Sequence, residues 1–227
     1  MQDNPPKNAE EQHASSLRVA VWVGLSDKKC LEKLRGLDAC SLVSSGVMIR
    51  RYPLDGLKKF RPICPPRFLR SSSFLSHLYA LLITIPVCMF FRPQVCIGIS
   101  LLPHSILAKL GQMASGSRLV TWFIGTDIFV ELAGKWWGKP LRGAMRSSAS
   151  TLCMGSRSRA MLEHMGWDPD HVIVGRNAYD LSKYNCGSKG KEWDVIYTGR
   201  LDRKHKRVCL LVRAMAEVRK SHPSVKC

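Results

Sequence analysis

The chain is 227 residues long, 45% hydrophobic and 23% charged, a globular balance that excludes wholesale disorder. Thirty-five Lys and Arg against 17 Asp and Glu leave a formal net charge of +18, which favours anionic partners: nucleic acid, anionic lipid or phosphorylated substrates. The nine cysteines include no C-x-x-C pair and no Cys/His cluster at zinc spacing. They read as reduced thiols of a cytoplasmic protein with no metal site, since residues 1–16 are polar and Pro-containing rather than a secretory leader.

Residues 1–16 read as a disordered polar lead. The apolar run Leu17 to Val23 is a buried first strand, and Ser26 can cap a short helix reaching Leu37. Val47 to Tyr52 reads as a second strand, stopped by Pro53. Arg50 to Arg70 then carries seven cations against one acid, Asp55, with Tyr52, Phe60 and Phe68 interleaved. It is either a solvated basic loop or a patch for anionic headgroups. Single-stranded nucleic acid also suits such a mixture, but no RNP, KH or zinc-knuckle pattern supports it, and nucleic acid is not an expected partner.

Ser71 to Phe91 begins Ser-rich and becomes strongly apolar. Its strongly apolar run, Leu78 to Phe91, is interrupted by Pro86 and is shorter than the roughly 20 residues of a membrane span, so a buried core helix is expected. A helix partly inserted in the membrane surface is the alternative. Strands at Val95 to Ile99, Arg118 to Ile124, Thr151 to Met154 and His171 to Val174 follow. They alternate with helices at His104 to Ala114, Pro140 to Ser147 and Ser156 to Met165, the last capped by Ser156. This alternation implies an α/β fold: a Rossmann-like, doubly wound parallel sheet with helices on both faces.

Tyr179 to Lys191 is polar and glycine-containing, a linker. A second β-α unit then begins. An apolar strand, Asp194 to Thr198, meets Gly199-Arg200, a knot of cations, and an amphipathic helix that Pro223 breaks. The geometry suits an anion. Gly199 lets the backbone approach, Arg200 can fork onto two phosphate oxygens, Lys206 is a point charge, and the helix presents its N-terminus.

Asp194 to Lys226 resembles the start of the C-terminal domain of family-4 retaining glycosyltransferases of the GT-B fold. The residues that carry the likeness are Gly199-Arg200-Leu201, Lys206 and Leu210 to Lys226, with Lys204 as the fallback for the lysine. Upstream, Arg92-Pro93-Gln94-Val95 resembles a strand entry of the family, with His104 in the following helix region. Gly125-Thr126-Asp127 resembles its G-[ST]-D, Cys153 to Met165 a strand-helix unit, and Gly175 to Tyr184 its P-N-G-V-D segment without the Pro and Gly. The glycine-rich loop after strand 1 is reduced to Gly24-Leu25-Ser26-Asp27, Ile124 stands where the family often has a His, and the E-x(7)-E region has no counterpart.

The resemblance implies a lead (1–16), an acceptor-side N-terminal domain (17–178), a linker (179–192) and an incomplete donor-side domain (193–227). It implies a metal-independent, retaining transfer of a sugar from a nucleotide-sugar to a glycan or lipid-linked acceptor, with no cofactor. Gly199, Arg200 and Lys206 would bind the donor diphosphate. His104, Gly125 and Thr126 would lie on the acceptor side, and Asp127 would be catalytic. Other readings stand beside these: Asp127 as a local cap, His104 as a partly buried structural histidine, Trp136 and Trp137 as core or as lining of an acceptor groove. The expected location is the cytoplasm, peripheral at the inner face of the membrane. The alternative function is a truncated, catalytically silent protein that binds anionic membrane or a partner. Little turnover is expected of the chain alone, because a single β-α unit cannot bury its own apolar face.

Overall fold

The computed structural model describes residues 16–134, 136–175, 192–198 and 207–227. The chain divides into two compact units after Tyr179.

The first unit is built on a seven-stranded, wholly parallel sheet. Its strands are β1 (Leu17–Val23), β2 (Val43–Ile49), β3 (Phe60–Ile63), β4 (Val95–Ile99), β5 (Arg118–Trp122), β6 (Ser150–Cys153) and β7 (Val172–Val174), in spatial order β3-β2-β1-β4-β5-β6-β7. The helices are α1 (Asp27–Ala39), α2 (Ser73–Phe91), α3 (Ile106–Ser115), α4 (Gly138–Arg146) and α5 (Ser156–His164). This is the α/β, Rossmann-like arrangement expected from the alternation of short apolar strands with helices.

The period-two geometry of a strand sends successive side chains to opposite faces. In β1, Val19, Val21 and Val23 join Cys30 and Leu34 of α1 on one face. Ala20 and Trp22 join Cys88 of α2 and Leu107 and Ala108 of α3 on the other. Each of the larger side chains contributes roughly 1.5–3 kcal/mol by leaving water. A third cluster, with Phe123, Leu132, Met145, Leu162 and Trp167, packs α4 and α5 at the β6 end.

Several elements differ from the sequence reading. β2 begins four residues earlier than expected and ends before Arg50, so Pro53 does not stop it. Residues 60–63, within the basic segment, form an edge strand beside β2. Pro86 does not break α2, which runs unbroken for 19 residues and is not a buried core helix: it buries one face only. Ser156 is the first helical residue of α5 rather than its cap; Gly155, at φ 90°, holds that place.

The second unit contains α6 (Val208–Ser221). Residues 194–198 form no regular strand there. The N–H groups of Asp194 and Val195 donate to Lys226 O, and Lys226 N–H donates back to Asp194 Oδ2 at 3.0 Å. A strand needs a ladder partner along its length, and these contacts supply one at its start. Leu210, Val212 and Val218 are exposed on α6, while Met215 is buried.

Candidate functional site

A parallel sheet delivers all its strand ends to one side, and a crevice opens where the strand order reverses. Here that switch lies between β1 and β4. β1 runs out into Gly24, and β4 into Ser100, a non-glycine residue at φ 73°. The turn after Ser100 carries His104 back across the end of β1. A Cβ on Gly24 would lie 2.3 Å from His104 Cε1, so the ring fits because residue 24 has no side chain. The turn itself is held by Ser105, whose hydroxyl lies 2.7 Å from Ser100 O and 3.2 Å from Gly98 O.

His104 Nδ1 lies 3.0 Å from Ser100 Oγ, and the His77 ring from α2 meets it edge-on at 6.3 Å. Burial, and then the His77 charge, push His104 down from its ordinary value to about 4. It is therefore neutral near pH 7, able to donate one hydrogen bond and accept another.

Arg50 follows directly on β2. Its side chain is 4% exposed and its Nη2 donates to Asp27 Oδ1 at 2.6 Å. Its Nη1 is buried without a hydrogen-bond partner among the described residues. Gly24, Arg50, Ser73, Ser76, His77 and His104 line a cleft of about 240 Å3. The cleft thus combines a fixed positive charge, a neutral imidazole and hydroxyls, a set suited to a polar, anionic or hydroxyl-rich ligand.

Gly125, Thr126 and Asp127 stand together beyond the end of β5. Gly125 takes φ 84°, and its carbonyl accepts the N–H groups of Ile128 and Phe129, each at 3.1 Å. Asp127 is 4% exposed; its Oδ2 accepts Ile124 N–H at 2.7 Å, and the carboxylate also accepts from the Leu101 backbone. Burial raises its pKa from the ordinary value, and the backbone donors oppose that rise. The carboxylate therefore ties the β5 turn to the β4 turn, which is the capping geometry.

Glu131, one helical turn on, is raised by burial and then by the Asp127 charge; its Oε2 is buried with no partner among the described residues. Trp136 and Trp137 are 90% and 78% exposed, so neither is core. Gly199, Arg200, Lys206 and the fallback Lys204 lie outside the described residues. The structure thus brings His104 to the cleft and groups Gly125, Thr126 and Asp127 at the neighbouring strand end. Sequence reasoning missed Arg50, His77 and Glu131. An arginine directly after the apolar V-M-I of a buried strand was the available signal for the first, and the i, i+4 spacing from Asp127 for the last.

No family model and no curated protein matches the chain. Solved structures do. A UDP-N-acetylglucosamine 2-epimerase aligns at TM-score 0.54 and 10% identity, over 71% of this chain and 48% of its own. The UDP-GlcNAc 2-epimerase of Neisseria meningitidis bound to UDP-GlcNAc aligns at 0.53 and 12%, over 71% and 46%. MnaA of S. aureus, in a co-structure with UDP, aligns at 0.53 and 10%, over 71% and 44%. The fold is Rossmann-like, of the GT-B type. At these identities the likeness is one of fold, and the chain spans less than half the length of each of these structures.

Proposed function

We propose that the chain belongs to a nucleotide-sugar-dependent enzyme of GT-B fold, and that it transfers a sugar to a glycan or lipid-linked acceptor. The observation that carries this is a pairing. A GT-B-type sheet, of the kind found in the UDP-GlcNAc 2-epimerase bound to UDP-GlcNAc and in MnaA with UDP, is followed by Gly199-Arg200-Leu201 and Lys206 ahead of an amphipathic helix. In this reading the first unit takes the acceptor. Arg50 and neutral His104 hold and orient it in the cleft, and Asp127 positions the two turns rather than exchanging a proton.

Arg200 and Lys206 take the donor diphosphate. As the bond between sugar and diphosphate breaks, negative charge grows on the leaving group, and fixed cations stabilise it without a metal ion. Retention of configuration belongs to the same proposal, on the resemblance to family-4 enzymes. The test is calorimetric titration of the chain with UDP and other nucleoside diphosphates, beside Arg200→Ala. Saturable binding that weakens about tenfold or more in the variant is expected, since a charge-assisted bidentate contact is worth about 1.5–3 kcal/mol. No binding, or equal binding by the variant, overturns the donor site. Conversion of the nucleotide-sugar to an epimer without an acceptor would overturn the transferase reading and keep the nucleotide-sugar one.

A further inference from the structure

Helix α2 is apolar on two faces, and the first unit covers only one of them. At 100° per residue, Ala80, Ile83, Thr84, Val87, Cys88 and Phe91 share the face that packs on the sheet and α3. Phe74, Leu78, Leu81, Leu82, Ile85 and Met89 fall in a stripe about 100° wide on the opposite side. Their exposures are 73%, 41%, 43%, 68%, 47% and 59%. No polar residue interrupts the stripe, and residues 73–91 contain no Asp, Glu, Lys or Arg. A helix on the outside of a water-facing domain puts its charges there, and contiguous apolar patches of this kind mark an interaction surface.

Two observations choose the occupant. The stripe is bordered by cations: Arg61 stands on the α2 side of β3, Arg67 is exposed just ahead of α2 beside Phe68 at 75% exposure, and Arg92 is exposed just after it. The approach to α2 is also fixed in place. Arg51 Nε donates to Arg70 O at 2.8 Å, and Arg70 Nε to Pro65 O at 2.7 Å, which holds the cation-bearing segment against the start of the helix. An apolar stripe bordered by cations complements an anionic bilayer surface, with acyl chains below and phosphates above.

Length and composition would let α2 cross a membrane. Its inner face forbids that, because crossing would strip Cys88, Thr84 and their neighbours from the sheet.

We propose that α2 docks the first unit flat on an anionic membrane. The stripe sinks to the boundary of headgroups and acyl chains, and Arg61, Arg67 and Arg92 take headgroup phosphates. The same helix supplies Ser73, Ser76 and His77 to the wall of the cleft, so the docked face and the cleft share one element. A ligand anchored in the bilayer would reach the cleft along α2. The docking itself does not rest on the nucleotide-sugar reading.

The test is co-sedimentation of the whole chain with vesicles of phosphatidylcholine alone or mixed with phosphatidylglycerol. Binding to the mixed vesicles is expected, weakening by about fivefold for each cation removed in Arg61→Gln and Arg67→Gln. Leu82→Glu/Met89→Glu, two exposed positions, should abolish it while leaving the circular dichroism spectrum and UDP titration unchanged. Failure to bind the mixed vesicles overturns the proposal, and so does undiminished binding by the double variant or equal binding to neutral vesicles. A dimer that the double variant dissolves, with no vesicle binding, assigns the stripe to a second copy and also overturns it. Loss of UDP binding alone would count against the donor site and not against the docking.

Discussion

The indole N–H of Trp22 donates to Thr84 Oγ1 at 2.9 Å in the interior, and that hydroxyl in turn donates to Ala80 O at 2.6 Å. This chain of bonds pins β1 to the inner face of α2. Thr84→Val keeps the shape and leaves the indole N–H buried without an acceptor, so it should lower stability by about 1–3 kcal/mol. Thr84→Ser should cost less than half of that. Urea denaturation of the three proteins at unchanged m-value is the measurement.

Gly24→Ala should displace the His104 ring, since the new methyl would sit 2.3 Å from Cε1. Overpacking of this kind costs about 1–3 kcal/mol. The double variant Gly24→Ala/His104→Ala should recover most of the loss, because it removes the atom that clashes. Additive losses in the double-mutant cycle would show that the two residues do not meet.

His104 gives the fold a pH dependence. Its folded value of about 4 lies below the ordinary 6.5, so between those values the unfolded chain binds the extra proton. The contribution is fully present above pH ~6.5 and is lost as the pH falls towards 4, by up to about 3 kcal/mol at 1.36 kcal/mol per unit. His104→Gln should flatten the stability profile in that window. Proton NMR titration of the His104 ring should find it neutral at pH 6, and a midpoint near 6.5 would refute the assignment.

Asp27→Ala should expose what Arg50 is worth to the fold. Among the described residues, the variant leaves a 4%-exposed guanidinium with only the long contact to Leu25 O at 3.4 Å. Because the Asp27 side chain is 65% exposed, the loss should sit near the lower end of the 1.5–3 kcal/mol range for charged hydrogen bonds. Thermal denaturation resolves a change of that size.

Thiol chemistry should separate the cysteines. Burial pushes Cys30 up to about 11, against the opposing pull of Arg50, so it stays a protonated, inaccessible thiol at pH 8. Cys209 and Cys227 are exposed. Iodoacetamide at pH 8 should label those two before Cys30, which it should reach only in denaturant, as peptide mapping can read.

The strands that were legible in the sequence are those with continuous apolar runs. β1 and β4, buried on both faces, are read at their full length from L-R-V-A-V-W-V and V-C-I-G-I. β2 is displaced in the reading because it starts on Val43-Ser44-Ser45-Gly46, whose small polar residues hide a strand start. Gly46 is small there because a Cβ would meet the Phe60 ring at 2.3 Å. β3 was invisible because Phe60-Arg61-Pro62-Ile63 carries a charge and a proline, and only pairing with β2 makes it a strand.

At the candidate site, G-T-D marks the turn that follows β5. Which atoms the Asp127 carboxylate receives depends on Leu101, 26 positions back, and no local pattern carries that. Arg50 is similar: its partner Asp27 lies 23 residues away. For α2, composition announced an apolar helix, but the face left open is decided by the sheet it lies on.

The edge strand β3 has a consequence for how copies of this protein can associate. Lys59 O and Ile63 O accept from Gly46 and Arg50 N–H, facing β2, and the two-residue alternation therefore sets Pro62 towards the free edge. That edge lacks a donor at Pro62 and carries the exposed Arg61, so a further strand cannot pair along it. The other edge, β7, is three residues long. Among the described strands, two sheets could therefore join only β7 to β7. A union that uses the same edge twice closes on itself, so edge pairing in this fold ends at a pair and cannot grow into a fibre.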